Sequence, residues 1–297
     1  MDVLTPSGSA RTPRRAPPSL SALAAAFSLL LGVAPRAPAR ADEGALAALE
    51  AEQQRLFDRI APAVVFVETG RAFGAGFAVA PDLVLTNAHV VGANDRVTLV
   101  LPGGKQIEAT VLERGKDDVD LALLSAPGAG LPALHLGSRA LRVGAWVAAV
   151  GHGRGGIWSF NTGMVTNIYP QGADRPVFQT QIPLNPGNSG GPVFDRSGDV
   201  VGIATAGLTD ANAINFAIRT TVACRTLARL RPLCEVLTLR APRGVAIFVD
   251  GRNVGVGPEV QLPAEGKSYD VFAVIAGKMH QRKVRFPETR LVDLAQP

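Results

Sequence analysis

The chain has 297 residues, 47% hydrophobic and 19% charged, which excludes a disordered charged tail, a collagen and a disulfide-dense miniprotein. Its net charge of +5 is concentrated at the start: Arg11, Arg14, Arg15, Arg36 and Arg40 stand against one acid, Asp2, in residues 1–41, so the remainder is nearly neutral. A neutral body gives no footing for nucleic acid as a partner.

Residues 1–41 read as a secretory signal peptide. A basic segment precedes an apolar run from Leu20 to Ala34, and Ala39-Arg40-Ala41 supplies a small-x-small cleavage pattern before Asp42. The run of about 15 residues is shorter than the roughly 20 a membrane span needs, and no other segment qualifies. Export to the periplasm or beyond is expected, with no stable span after cleavage. Residues 43–60 then show helical spacing through Leu46, Leu49, Leu56 and Ile60, and Pro62 ends the pattern.

From residue 61 the texture changes to short β-rich runs separated by turn residues. Leu83–Thr86, Arg96–Leu101, Val111–Glu113, Val143–Val150, Gly163–Ile168 and Val200–Ala204 are examples. With 32 glycines and 22 prolines, this predicts an all-β barrel or sandwich. A short helix over 221–231 would close the region at about residue 235. A small β domain is expected over 239–297, with Ile247-Phe248-Val249 turning at Asp250-Gly251. Its basic run Gln281–Arg285 reads as a solvated strand edge.

Export permits disulfides. Cys224 and Cys234, ten residues apart, are the only cysteines. They fit a bond closing a short loop and fit equally two small buried hydrophobes, because geometry decides. No metal-ligand spacing occurs, so neither a metal nor another cofactor is expected. Gly151-x-Gly153-x-x-Gly156 matches a dinucleotide fingerprint in form only, since Ile157-Trp158-Ser159-Phe160 does not open a helix. His135 and His152 read as surface or loop residues, and Trp146 and Trp158 as packing residues.

The chemistry lies in Asn185-Pro186-Gly187-Asn188-Ser189-Gly190-Gly191-Pro192. A serine hydroxyl becomes a nucleophile when a base takes its proton and preorganised donors hold the oxyanion. Glycines around it let backbone N–H groups converge. His89, in Thr86-Asn87-Ala88-His89-Val90-Val91, supplies a base. Asp120 leads into the apolar Leu121-Ala122-Leu123-Leu124, where a carboxylate is costly without a hydrogen-bond partner. The order His, Asp, Ser differs from the Ser, acid, His order of an α/β-hydrolase and is that of the chymotrypsin-type template.

These stretches, with Ala61–Val65, Gly74-Ala75-Gly76-Phe77 and Ile214–Ile218, resemble the trypsin-like proteases of the HtrA/Deg family from about residue 58 to 220. The resemblance implies two six-stranded β-barrels with the site in the cleft between them. It implies His89, Asp120 and Ser189 as catalytic residues and Gly187, Asn188 and Ser189 as the oxyanion-hole segment. Pro183 stands where trypsin-like enzymes that cut after Arg or Lys carry an acid. With Leu184, Ile203, Ala204, Thr205, Ala206 and Phe216, it implies a pocket for small aliphatic residues of polypeptide substrates. A homotrimer held by N-terminal elements is a further implication. Gln181 and Pro183 depart from the family pattern, and no PDZ domain is evident after residue 220. Residues 240–295 instead resemble a PEGA-type β domain, through Val245–Gly251 and Gly255–Pro258, which implies an envelope partner. The alternative to an endopeptidase is a catalytically silent scaffold on the same barrels.

Overall fold

The computed structural model describes residues 43–152, 158–168, 177–205 and 214–296. Helix α1 spans Glu43–Ile60, the stretch its leucine spacing predicts, and a 3-10 turn carrying Pro62 ends it. Its first turns belong to one compact unit, residues 1–51, and the remainder to a second, 52–297. Within the second unit Leu56 and Ile60 are buried. Phe57 meets Phe160 edge-on, and Arg59 Nη2 donates to Ser197 O at 2.6 Å.

The first barrel consists of β1 (Val64–Glu68), β2 (Phe73–Ala80), β3 (Leu83–Thr86), β4 (Arg96–Val100), β5 (Gln106–Arg114) and β6 (Ala122–Ser125). It closes in the order β1-β2-β3-β6-β5-β4. One helical turn, α2 (Ala88–Val91), follows β3. The second barrel consists of β7 (Trp146–Gly151), β8 (Ser159–Ile168), β9 (Val177–Thr180), β10 (Pro192–Phe194), β11 (Val200–Thr205) and β12 (Asn215–Arg219). It closes in the order β10-β11-β12-β9-β8-β7.

Closure removes the free edges that six short strands would otherwise present. Alternation fills the interiors: Val97 and Leu99 of β4 point inward with Val65, Val67, Ala122 and Leu124. A separate core joins the barrels, with Phe77, Leu85 and Leu121 from the first packing with Val150, Phe194 and Ile203 from the second. The site therefore lies on a junction fixed by apolar packing.

Helix α3 spans Thr220–Thr226, ending before the 221–231 stretch read from the sequence does. Its Cys224 is bonded to Cys234, with Cα atoms 6.1 Å apart, which resolves the open question of the two cysteines. A bond closing so short a loop is expected to contribute roughly 2–3 kcal/mol. The Cys224→Ser, Cys234→Ser double variant should lose that much in urea titration, while reductant should leave the variant's own midpoint unmoved.

Beyond the bond come β13 (Val236–Arg240), β14 (Ala246–Val249), β15 (Arg252–Val256), β16 (Glu259–Pro263), β17 (Ser268–Ile275), β18 (Lys278–Arg285) and β19 (Leu291–Asp293). They form a three-stranded sheet, β16-β13-β19, and a four-stranded sheet, β15-β14-β17-β18. Leu237, Leu239, Ile247, Val271, Phe286 and Leu294 form a core between them. Thr221 Oγ1 donates to Glu265 Oε1 at 2.9 Å, and Gly266 N donates to Ser138 O at 2.6 Å, tying these sheets to the second barrel. At the same junction Ser138 Oγ donates to Glu235, and Arg290 sits 2.8 Å from it. Burial works against the charged Glu235, but these two partners hold its carboxyl below the usual range. Among the described residues no helix is long and apolar enough to cross a membrane.

Candidate active site

Three loops converge at the junction of the barrels. Asn87, extended at the end of β3, aims α2 so that His89 faces the turn before β6. There Asp120 Oδ2 meets His89 Nδ1 at 2.7 Å, and Asp120 Oδ1 accepts the His89 backbone N–H at 2.8 Å. Asn87 Nδ2 donates to Asp120 O at 2.8 Å. Thr205 Oγ1, arriving from β11 of the other barrel, donates to Asp120 Oδ2 at 3.0 Å.

Burial would raise the Asp120 pKa, but the bonds from the His89 ring and backbone, the His89 charge and the Thr205 hydroxyl outweigh it. The carboxyl is held below the ordinary carboxylate value and stays ionised. Asn87 and Thr205 are supports that sequence reading misses: in the sequence Asn87 is only part of a motif, and Thr205 reads as a pocket residue.

Ser189 reaches the same place through close backbone approaches. Ala75 N donates to Ser189 O at 2.8 Å, and Gly74 makes room for it. A Cβ on Gly74 would stand 2.6 Å from the side chain of Val90, next to His89, and 2.8 Å from Ser189 O. Gly190, at φ +86°, seats against Ala75 O, Thr86 Oγ1 and Asn87 N. On the opposite side Gly190 N donates to Ala204 O, and Ala204 N donates to Gly191 O, both at 2.9 Å.

The loop before Ser189 is a tight turn with Gly187 at φ +101°. Asn188 N donates to Asn185 O at 2.9 Å, so that group is already engaged. The N–H groups of Gly187 and Ser189 meet no acceptor among the described residues. His152 N donates to Gly187 O at 3.2 Å.

His152 lies in the loop that follows β7, one of its two expected places, but it is buried there, 3% exposed. Its ring centroid lies 5.3 Å from that of Phe66 in the first barrel and 4.7 Å from that of Trp158 in the second. Burial pushes its pKa down to about 4, so the ring is neutral at physiological pH. His135 is exposed, as expected, and pairs with Asp199 at 3.0 Å.

The residues implied for a substrate pocket separate into groups. Pro183 is exposed; Leu184 and Phe216 are half-buried. Asn215 Nδ2 donates to Ile182 O at 2.8 Å and ties β12 to the 182–184 segment. Ile203 is fully buried in the core shared by the barrels, where alternation along β11 turns it away from open space. Ala204 is buried too and acts through its backbone on the serine loop. Ala206 lies outside the described residues, as do residues 153–157 of the glycine-rich stretch. Among the described residues no group of three or more His, Cys, Asp or Glu could hold a metal ion.

Residues 74–203 match the family model of the trypsin-like peptidase domain. This stretch is similar to a trypsin-like peptidase domain. A DegP-like periplasmic serine endoprotease of Halomonas elongata is 37% identical over 173 residues, 55% of this chain and 36% of that protein. One from Ectopseudomonas mendocina is 38% identical over 170 residues, 54% of this chain and 35% of that protein. The matched stretch thus spans about a third of the length of these relatives.

Among solved structures, the active form of the Rv3671c protease from M. tuberculosis superposes with a TM-score of 0.52 at 28% identity, covering 58% of this chain and 82% of that one. A serine endoprotease from Yersinia pestis gives 0.55 at 22% identity, covering 78% and 96%, and speaks for the fold alone. The peptidase domain accordingly has the two-barrel fold expected from the sequence.

Proposed function

We propose that this chain is an exported serine endopeptidase whose peptidase domain cuts polypeptides through an acyl-enzyme. The observation that carries the reading is the His89 Nδ1 to Asp120 Oδ2 contact of 2.7 Å, set beside the glycine-lined Ser189 loop. Ser189 Oγ attacks the peptide carbonyl while His89 Nε2 takes its proton. Asp120 holds the proton on Nδ1 and stabilises the imidazolium. The N–H groups of Gly187 and Ser189 receive the oxyanion. His89 then protonates the leaving amine, and water, deprotonated by His89, releases the acid.

Four aspects of this reading reach further than the reaction class. The substrate side chain before the cut is small and aliphatic, because Pro183 places no acid in the pocket and Leu184 and Phe216 line it with apolar surface. The signal segment directs the chain to the periplasm, in keeping with the relatives' names. The C-terminal sheets engage an envelope partner, and the domains assemble as a homotrimer.

The test uses mature chain, residues 42–297, with a fluorophosphonate probe, and Ser189→Ala and His89→Ala as controls. Labelling is expected in the parent and in neither variant. Peptides with Val, Ala or Ile before the cut should then be turned over at least about tenfold faster than one with Arg, since an unpaired cation in an apolar pocket costs well over a kcal/mol. A folded chain that takes no label, and gains none with envelope extract, would make it the silent scaffold. Equal turnover of the Arg peptide would overturn the pocket assignment alone.

A further inference from the structure

Strand β18 is the outer strand of the four-stranded C-terminal sheet and pairs only with β17 among the described residues. It carries Lys278, His280, Arg282, Lys283 and Arg285 and no acidic residue. Phe286 N donates to Lys267 O at 3.0 Å, one step beyond the Ser268–Arg285 pair. Alternation along an antiparallel ladder then turns Val284, Arg282 and His280 towards β17. It turns the N–H and C=O groups of Lys283, Gln281 and Met279 outward. The neighbouring strand agrees: Asp270, opposite Lys283, spends both its N–H and its C=O on Asp250, on the far side from β18.

The side chains of these three residues share the sheet face turned away from the core. On that face Met279 stands opposite Val274, Gln281 opposite Phe272, and Lys283 opposite Asp270. Met279 is 67% and Val274 53% exposed. Phe272 stacks on Phe248 with centroids 4.9 Å apart. Gln281 Nε2 donates to both Asp270 oxygens, at 2.7 and 2.9 Å. Arg285 shares its charge with Glu288 at 3.5 Å, and Arg282 reaches Gln296 O at 2.8 Å.

We propose that β18 is a docking edge for an extended acidic peptide segment, which joins the sheet as a further strand. The outward N–H and C=O groups supply ladder bonds that any sequence could use. The side chains supply the selection. Residues of the guest facing Met279, Gln281, Lys283 and Arg285 occupy every second position, and the complementary choices are apolar, neutral, acidic and acidic. The cations that protect this edge from a second copy of itself, by setting like charges opposite one another, favour a guest of opposite charge.

The test is fluorescence anisotropy on the full mature chain carrying Ser189→Ala, so that no guest is cut. Three short dye-labelled peptides serve as probes: one alternating Glu with Thr and Val, one with Lys for every Glu, and one of the first sequence with every backbone amide N-methylated. An N-methylated amide cannot donate to a ladder. The glutamate strand should bind, weaken with salt, and exceed both other peptides by at least about tenfold.

Lys283→Gln should weaken binding about threefold by loss of one cross-strand charge pair. Lys283→Pro, which also deletes an outward N–H without touching the β17 ladder, should weaken it at least about tenfold. Equal binding of the N-methylated peptide would show plain charge attraction and overturn the proposal, as would no binding of the glutamate strand. Should Lys283→Pro fail to fold, the peptide comparison on the parent edge and Lys283→Gln decide the matter.

Discussion

Asp120→Asn is expected to lower kcat about 10⁴-fold with KM little changed. The reason lies in how many donors one carboxylate serves. Asp120 Oδ1 takes the His89 backbone N–H, and Oδ2 takes both the His89 Nδ1–H and the Thr205 hydroxyl. An asparagine has one acceptor oxygen and an amide that can only donate. If the oxygen keeps the backbone bond, the amide faces Nδ1 and forces the imidazole proton onto Nε2. That is the atom that must accept the Ser189 proton. The parent carboxylate is held below the ordinary range, so its charge persists across the pH interval in which the enzyme would work. Stopped-flow acylation by an activated ester measures the effect. A variant within about tenfold of the parent would mean that Asp120 does not set the tautomer.

The second large effect is expected at Gly190→Ala. Gly190 has φ +86°, and an added Cβ would run into Ala75 O and Thr86 Oγ1 and stand 3.1 Å from Asn87 N. None of the three can retreat cheaply: Ala75 N holds Ser189 O, Thr86 Oγ1 donates to Ala75 O at 2.7 Å, and Asn87 carries Asp120. Strain and overpacking together should cost on the order of 3–5 kcal/mol and abolish fluorophosphonate labelling. Gly104→Ala is the matched control, because Gly104 has φ +85° with nothing within 4 Å of the added Cβ. It should lose about 1 kcal/mol and keep full labelling. Equal losses at the two positions would show that backbone conformation, and not the close approach, sets the cost.

What could be read from the sequence follows from how local each signal is. Helix α1 was bounded correctly because its leucines, and Pro62 at its end, are neighbours in the chain. Strand β3 is likewise marked at Leu83–Thr86, since Leu83-Val84-Leu85 is apolar and follows the Pro81-Asp82 turn. The sequence marks only Val111–Glu113 of β5, which runs from Gln106 to Arg114. Its outward face is Gln106, Glu108, Thr110 and Leu112, and the polar members hide a strand from an eye that looks for apolar runs.

His89, Asp120 and Ser189 can be singled out from the sequence because their motifs keep their order along the chain. Thr205 cannot, since its partner Asp120 lies 85 residues away and nothing local marks the hydroxyl. His152 follows the apolar run Val147–Val150, but nothing local marks the ring itself as buried. Its burial comes from Phe66 and Trp158, one on each barrel, and only the docked barrels bring those rings together. The cysteines were ambiguous until a Cα separation was available.

The bracing of Ser189 has a consequence for the life of the chain before it is finished. The serine loop is held by Ala75 from one barrel and by Ala204 from the other. A polypeptide still emerging carries His89 and Asp120 without their nucleophile, and even a complete but unfolded one lacks both braces. Chemical competence is then a property of the closed pair of barrels, acquired last. On the function proposed above, such a molecule would pass through synthesis and secretion without cutting the machinery that makes it.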